Sequence, residues 1–478
     1  MIALRHSVLF AAALLLSGCV VGPNYHRPAL AVPQVWPAES STASVIGPVI
    51  DEWWKSFHDP ELDSLVKRAV ATNPDLKLAA ARVEEARANR GVARSGALPQ
   101  ITGSAEALRE RQITQGFVPN ASGQGGSLQT FPYEINLFSA LAQMSWEVDL
   151  FGGIRRQVQA AGADLAAQQE DRRNVLISLL GDVASNYAQV RGYQLRLEIA
   201  HKNILIQEDT LKLTRDLVNA GQATERDVAQ SEALLETTRA SVFVLDSGLK
   251  TAIHRLGVLL GLEPERLAGE LAAAAPLPVT PPAVPVGLPS DLLKRRPDIR
   301  RAEAQLVAAT ARVGQARADY FPTFSLTGSA GREATQLHDL TLGVANVFSI
   351  GPSMSLPIFT GGKIRSNVAV QTARMSQAQA TYESTVLTAL EETDNALVNY
   401  GDEQARRDRL QEVVRASQTA QQLAEIQYKA GLADFLTVLD SERTLASNQD
   451  QLAQSQVAVV TDLISLYKAL GGGWEALP

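Results

Sequence analysis

The 478-residue sequence predicts a mainly α-helical chain with a smaller β portion, built from one unit used twice: helix, β-hairpin, long helix, helix. Three observations predict it. The sequence repeats itself at a constant offset. Long proline-free stretches such as 154–219 carry an apolar residue at every seventh position. Short segments with strand-like alternation stand at the same place in each half.

The duplication is legible residue by residue. Met144-Ser145 recurs as Met354-Ser355, Ile154-Arg155 as Ile364-Arg365, Ala220-Gly221 as Ala430-Gly431 and Ser231-Glu232 as Ser441-Glu442, all 210 residues apart, and Gly261 falls on Gly471. Upstream the offset is 223, matching Pro74-Asp75 to Pro297-Asp298 and Pro99 to Pro322, then 225 for Thr102–Ala105 and Thr327–Ala330. The change of offset confines insertions to the segment between about 100 and 144, as surface loops do. A Pro-rich stretch, Pro276 to Pro289, separates the halves and reads as an extended linker.

Each half then has the same order of elements. A helix over 74–97 opens the first, with proline suited to the first turn. Strands follow at about 100–113 and 136–150, and Gly116 to Tyr133, rich in Gly, Ser and Gln, reads as an exposed loop. A long helix covers about 154–219 and a shorter one about 224–260. The second half places strands at about 322–332 and 345–358, a long helix at about 364–429 and a helix at about 434–470.

The helices are rods. Leu176, Val183, Val190, Leu197, Ile204, Leu211 and Val218 follow at intervals of seven; so do Val228, Leu235, Val242, Leu249 and Leu256, and their copies Val438, Leu445, Leu452, Val459 and Leu466. A sustained seven-residue period implies coiled-coil packing. At about 1.5 Å per residue the helix at 154–219 rises roughly 100 Å, and those at 74–97 and 224–260 roughly 36 and 55 Å, so two short helices end to end nearly match one long one. A solid coiled-coil stalk is the alternative, but a stalk does not require two hairpins at one end of its rods.

Four strands cannot close a membrane barrel, for which about eight is the minimum. Two chains would supply eight strands and three would supply twelve. Eight leave room only for side chains, so a hollow barrel favours the trimer. Aromatic residues make up only 5% of the chain, and the rods are rich in Ala, Gln, Ser and Thr, which suits walls more than a globular core.

The N-terminus carries an address. Arg5 and His6 precede an apolar run from Val8 to Leu16, then Ser17, Gly18 and Cys19. This pattern is a secretory signal ending in a lipobox, cut before Cys19, whose thiol would carry the lipid. Cys19 is the single cysteine, which excludes an intrachain disulfide, and Val20 after it is not an inner-membrane retention signal. No later segment is apolar for long enough to cross a bilayer as a helix. The net charge of −7 and the lack of a basic stripe argue against nucleic-acid binding. The divisions are therefore a signal peptide at 1–18, an extended N-terminal segment at 19–60, a first repeat at 61–261, a Pro-rich connector at 262–296, a second repeat at 297–473 and a tail at 474–478.

With these features in place, the chain resembles the TolC-like outer-membrane efflux factors, in the lipoprotein (NodT-type) branch serving RND-type drug and metal efflux pumps. The carrying motifs are Cys19-Val20-Val21-Gly22-Pro23-Asn24-Tyr25, Trp146-Glu147-Val148-Asp149-Leu150-Phe151-Gly152, Arg296-Pro297-Asp298-Ile299-Arg300 with Phe321-Pro322, and Leu466-Tyr467-Lys468-Ala469-Leu470-Gly471-Gly472-Gly473-Trp474. The resemblance implies a homotrimer with a twelve-stranded outer-membrane β-barrel continued by a long periplasmic α-helical barrel. It implies a periplasmic adaptor (membrane fusion) protein and an RND-type inner-membrane pump as partners, outer-membrane lipid around the strands, small-molecule cargo and no cofactor. The connector at 262–296 and the N-terminal segment would form an equatorial belt.

Gly221 and Gly431 mark the helix turns at the periplasmic tips, where glycine permits a left-handed residue. The resemblance places the closing constriction on the second tip, at Tyr428, Lys429, Leu436, Asp440 and Arg443. Three-fold symmetry would make Asp440 a ring of carboxylates and Leu436 an apolar plug. The equivalent first-repeat positions hold Gln230 and Ala233, so such a ring has three acids and not six. Asp440 and Arg443, three apart on one helix, also read as a local ion pair.

Other chemistry finds no support. His6, His26, His58, His201, His254 and His338 share no metal-ligand spacing, and there is no P-loop, G-x-S-x-G elbow or dinucleotide fingerprint. Trp53 and Trp54 suit either a membrane interface or docking of the N-terminal segment onto the rods. The competing functions are a type I protein-secretion duct, a non-transporting stalk and a periplasmic lipoprotein enzyme. The enzyme would need a converged titratable cluster that the sequence does not present.

Overall fold

A computed structural model describes residues 20–36, 44–45, 47, 49–119, 126–281 and 283–475. The predicted signal peptide and Cys19 lie outside these residues. Helices α1 (Pro60–Thr72) and α2 (Pro74–Ser95) precede strands β2 (Gln100–Pro119) and β3 (Gly126–Val148). Helix α3 (Gly153–Asn219) and α4 (Glu225–Leu259) follow. After the connector come α5 (Pro289–Arg295), α6 (Pro297–Ala318), β5 (Thr323–Ala334), β6 (Asn346–Ser355), α7 (Lys363–Lys429) and α8 (Phe435–Ala469). Two short strands, β1 (Ser44–Val45) and β4 (Val284–Pro285), pair in parallel.

Local chemistry sets several of these boundaries. Asp59 caps α1 by accepting from the amides of Glu61 (3.0 Å) and Leu62 (3.3 Å), with Pro60 in the first turn. Asn73 ends α1 and starts α2: its Oδ1 accepts from Leu76 N at 2.9 Å while its Nδ2 donates to Leu259 O at 2.8 Å. Each 67-residue helix, α3 and α7, ends in a glycine with positive φ, Gly221 at 73° and Gly431 at 72°.

The chain forms two compact units, and neither coincides with a repeat. The first unit holds residues up to 27, 84–166 and 304–379; the second holds 28–83, 167–303 and 380–478. Each unit therefore takes segments from both halves of the duplication. Long rods cause this, because a residue far along a helix packs on the neighbouring rod and not on its own hairpin.

The first unit contains the antiparallel sheet, in the order β2-β3-β5-β6. The second contains the main apolar cluster. There Trp53 stacks on Tyr467 with ring centroids 5.3 Å apart, and Trp54 and Phe57 are buried beside it. These tryptophans belong to the packed core, which settles their role as docking of the N-terminal segment. Trp36 Nε1 donates to Gly287 O at 3.1 Å, tying that segment to the connector. Heptad residues Val183, Val190, Leu235, Leu256, Val438, Val459 and Leu466 are buried.

Three sequence expectations need correction. The stretch Gly116 to Tyr133 is mostly strand: the β2–β3 ladder runs unbroken from Gln100↔Ser145 to Pro119↔Gly126, so only 120–125 stand outside the described strands. Its Gly, Ser and Gln content reflects a ribbon exposed on both faces, where a buried stripe is not required. The strand expected at 136–150 accordingly begins at Gly126 and ends at Val148, and those expected at 322–332 and 345–358 run Thr323–Ala334 and Asn346–Ser355. The extended linker expected over Pro276 to Pro289 stops one residue short, since Pro289 starts α5, with Asp291 Oδ2 accepting from Leu288 N at 3.1 Å.

Candidate functional site

Two regions carry chemistry: the sheet with its strand-to-helix junction, and the turns that close the helical hairpins. The register sorts the sheet into unlike faces. On one, Phe324↔Met354, Leu326↔Pro352, Gly328↔Ile350 and Ala330↔Phe348 are opposed, continuing through Met144 and Ile101 on β3 and β2. On the other, Ser325 bonds Ser353 at 2.7 Å and Ser329 bonds Ser349 at 2.9 Å, flanked by Thr327, Gly351, Gln143 and Thr102. One face suits hydrocarbon and the other water, which is the alternation a membrane barrel needs. On the apolar side the band ends at Arg109 and Arg111, where Arg109 pairs with Glu134. Strands β2 and β6 are edges with unpaired outer backbone groups. Among the described residues no helix is long and apolar enough to cross a membrane.

The junction below the sheet holds residues 20–24 in a cradle. Arg156, buried on α3, donates through Nε to Val21 O (3.2 Å) and through Nη2 to Gly22 O (3.3 Å) and Asn24 Oδ1 (2.9 Å); its Nη1 reaches Gln159 Oε1 at 2.9 Å. Burial lowers its affinity for the proton. Gly22, at φ 99°, crosses Gly314 so closely that a Cβ would lie 2.4 Å from Gly314 Cα. Phe151 stacks on Phe321 at 4.7 Å alongside. The 19–25 motif is legible in the sequence but its receptor is not, because the contact joins residues some 130 positions apart.

At the hairpin turns the two repeats use one backbone solution with exchanged side chains. Gln222 N donates to Leu217 O and Leu432 N to Gln427 O, each at 2.8 Å, completing glycine-capped helix ends. In the first turn the Asp227 carboxylate accepts from Thr224 N (2.9 Å) and Oγ1 (2.8 Å). In the second, Asp434 is the cap and accepts from Thr437 N (3.0 Å) and Oγ1 (2.7 Å), hydrogen bonds that hold its carboxyl below the usual range.

The structure brings together only some of the predicted gate residues. Leu436 and Asp440 line one groove of about 550 Å³ between α7 and α8, with Ser417, Ala420 and Thr444. Arg443 bonds Asp440 at 2.9 Å, both side chains largely exposed, so the local ion pair exists. Lys429 pairs along its own helix with Glu425 at 2.5 Å. Tyr428 turns the other way, its ring 5.6 Å from that of Phe435 and its hydroxyl buried without a hydrogen-bond partner among the described residues. Burial, then the nearby Asp227 charge, raises its pKa.

Sequence reasoning missed Glu442. It is 5% exposed, Thr210 Oγ1 donates to its Oε1 at 2.5 Å, and Oε2 has no partner among the described residues. Burial pushes its carboxyl up to about 7, with the Glu425 charge raising it further. Glu442 sits between Val438 and Leu445 on the apolar seam, which was a usable signal. The signal was ambiguous because Glu232, its counterpart, occupies the same seam position and is exposed, 3.7 Å from Arg215. Among the described residues no group of His, Cys, Asp and Glu could hold a metal ion.

Comparison with known proteins gives one answer throughout. The family model described as outer membrane efflux protein matches residues 65–262 and 288–472. Nodulation protein T of Rhizobium leguminosarum bv. trifolii is 32% identical over 97% of this chain and 96% of its own. The solvent efflux pump outer membrane protein SrpC of Pseudomonas putida is 34% identical over 97% of both. Among solved structures, the outer-membrane channel OprN is 37% identical with a TM-score of 0.88, covering 96% of this chain and 100% of that one.

Proposed function

The chain belongs to the outer membrane efflux protein family, and from that premise we propose that three copies form the passive exit duct of a tripartite efflux system for small molecules. The observation that carries the reading is the sheet: four strands, one apolar face, one Ser/Thr/Gly face, and two unpaired edges. Such a sheet is stable in lipid only when neighbouring copies pair its edges, and three copies enclose a lumen wide enough for solute. A periplasmic adaptor and an RND-type inner-membrane pump supply the cargo and the energy, and Cys19 carries the lipid anchor. The hairpin turns form the closing end, with Leu436 and Asp440 lining it and Arg443 holding Asp440 in place. The relatives named for solvent and toluene efflux favour small molecules over polypeptides as cargo.

Reconstitution in a planar bilayer tests this reading. Purified protein gives discrete, ohmic, cation-biased conductance steps, and native mass spectrometry gives a mass of three chains. Absence of conductance from protein confirmed as inserted would leave the stalk as the better reading.

A further inference from the structure

The charges of the four-stranded sheet are sorted by face. The apolar face takes odd positions on β2, such as Ile101, and even positions on β3, β5 and β6, such as Met144, Leu326 and Ile350. Among the described strand residues that face carries Arg109, Arg111 and Arg332, with a single acid, Glu134. The opposite face carries Glu106, Glu110, Glu147 and Glu333 and no Lys or Arg. Hydration alone does not demand this, because a wet surface accepts arginine as readily as glutamate. The cations have been placed on the side that meets lipid.

Their height along the strands is equally specific. Trp146 stands at the helix end of the apolar face and donates from Nε1 to Ala97 O at 3.0 Å. Asn136, opposite Arg109 on β2, lies ten residues further along β3. At about 3.4 Å per residue the two positions are roughly 34 Å apart along the strand, and a tilt of about 40° makes that roughly 26 Å across the membrane. The apolar band of a membrane barrel is about 25 Å tall. Arg109 and Arg111 therefore stand where hydrocarbon ends, on the side away from the periplasmic helices, which is the outer leaflet. Arg332 starts lower on the same face and reaches the same way, its Nη1 donating to Leu340 O at 2.9 Å in the turn after β5.

Contacts within the chain leave this row short of anions. Glu134 pairs with Arg109, and that local pair accounts for one guanidinium of the three. Arg111 is exposed and has no ion pair or hydrogen bond among the described residues. Arg332 meets only a carbonyl oxygen. A guanidinium presents a planar fork of donors that fits phosphate oxygens two at a time, and lipid phosphates lie at this depth. We propose that Arg109, Arg111 and Arg332 form a phosphate-binding band that holds anionic lipid headgroups of the outer leaflet against the barrel.

Full-length protein in detergent, stripped of lipid, is titrated with lipid A carrying two phosphates, and bound lipid is counted by native mass spectrometry. Arg109→Gln/Arg111→Gln weakens binding about tenfold or more with the mass of the assembly unchanged, and raised salt weakens binding to the wild type. Glu106→Gln, on the other face, binds as the wild type does. Arg111→Gln breaks no contact within the chain, so it carries the test alone if the double variant fails to assemble, and it too binds less. Wild-type affinity in the arginine variants overturns the proposal, as does equal binding of phosphatidylcholine, which would reduce the band to apolar contact. Displacement of the lipid by equimolar inorganic phosphate would make free phosphate the ligand and overturn the lipid assignment. The lipid contact rests on the barrel of the proposed duct, and the two fail separately. If the wild type conducts in a bilayer while lipid binding ignores the arginines, the contact is wrong and the duct stands. If the wild type does not insert at all, the barrel falls and this contact with it.

Discussion

Replacing Glu442 with Gln changes one buried proton and nothing else of comparable size. The wild-type carboxyl, ordinarily near 4.5, is pushed up to about 7 by burial. Because the folded value lies above the unfolded one, the fold favours the neutral acid. Stability is then full below about pH 4.5, falls as pH rises from there to about 7, and stays low beyond it. At about 1.4 kcal/mol for each tenfold change in proton affinity, the full penalty at alkaline pH is about 3 kcal/mol. The amide of Glu442→Gln has no charge to desolvate and still accepts from Thr210. It therefore stabilises the hairpin ends above pH 7 by up to about 3 kcal/mol and leaves them nearly unchanged near pH 5. Hydrogen exchange of peptides covering 205–215 and 436–446, corrected for intrinsic rates, reads this directly. Wild type loses protection between pH 5 and pH 8, and the variant does not. Equal protection of wild type at both pH values would refute the argument.

Other substitutions test the remaining sites. Asp440→Ala or Arg443→Ala raises single-channel conductance in a planar bilayer while the melting temperature hardly moves, because the exposed pair is worth only about 0.3–0.5 kcal/mol; unchanged conductance in both removes them from the closing end. Gly431→Ala forces a side chain onto a residue at φ 72° with nothing within 4 Å, so its cost is conformational, about 1 kcal/mol, and shows as faster exchange at the second turn. Arg156→Ala leaves Val21 O, Gly22 O and Asn24 without their donor, costs about 2 kcal/mol or more, and speeds hydrogen exchange in peptides covering 20–27 of a protein whose helices remain intact.

Much of this was legible in one dimension because it repeats. A seven-residue period needs only a count, and two copies of a helix–hairpin unit confirm each other's boundaries to within a few residues. The 116–133 ribbon was not legible, since an exposed strand needs neither apolar alternation nor β-branched residues once a partner ladder supplies its hydrogen bonds. The proposed gate residues were placed by resemblance, and the fold then divided them: Leu436 and Asp440 share a groove, while Tyr428 faces Phe435 and Asp227.

The sequence by itself determined the rods, the hairpins and the duplication, because each is written in spacing along the chain. The tertiary structure alone decided which equivalent residues differ. Glu232 and Glu442 sit at one repeat position, yet Glu232 meets water and Arg215 while Glu442 is shut beneath Thr210. Gly91 and Gly314 are likewise one position, one facing open space and the other pressed against Arg156. A repeat specifies the same local fold twice, but each copy has different neighbours, and burial, charge and proton affinity follow from the neighbours.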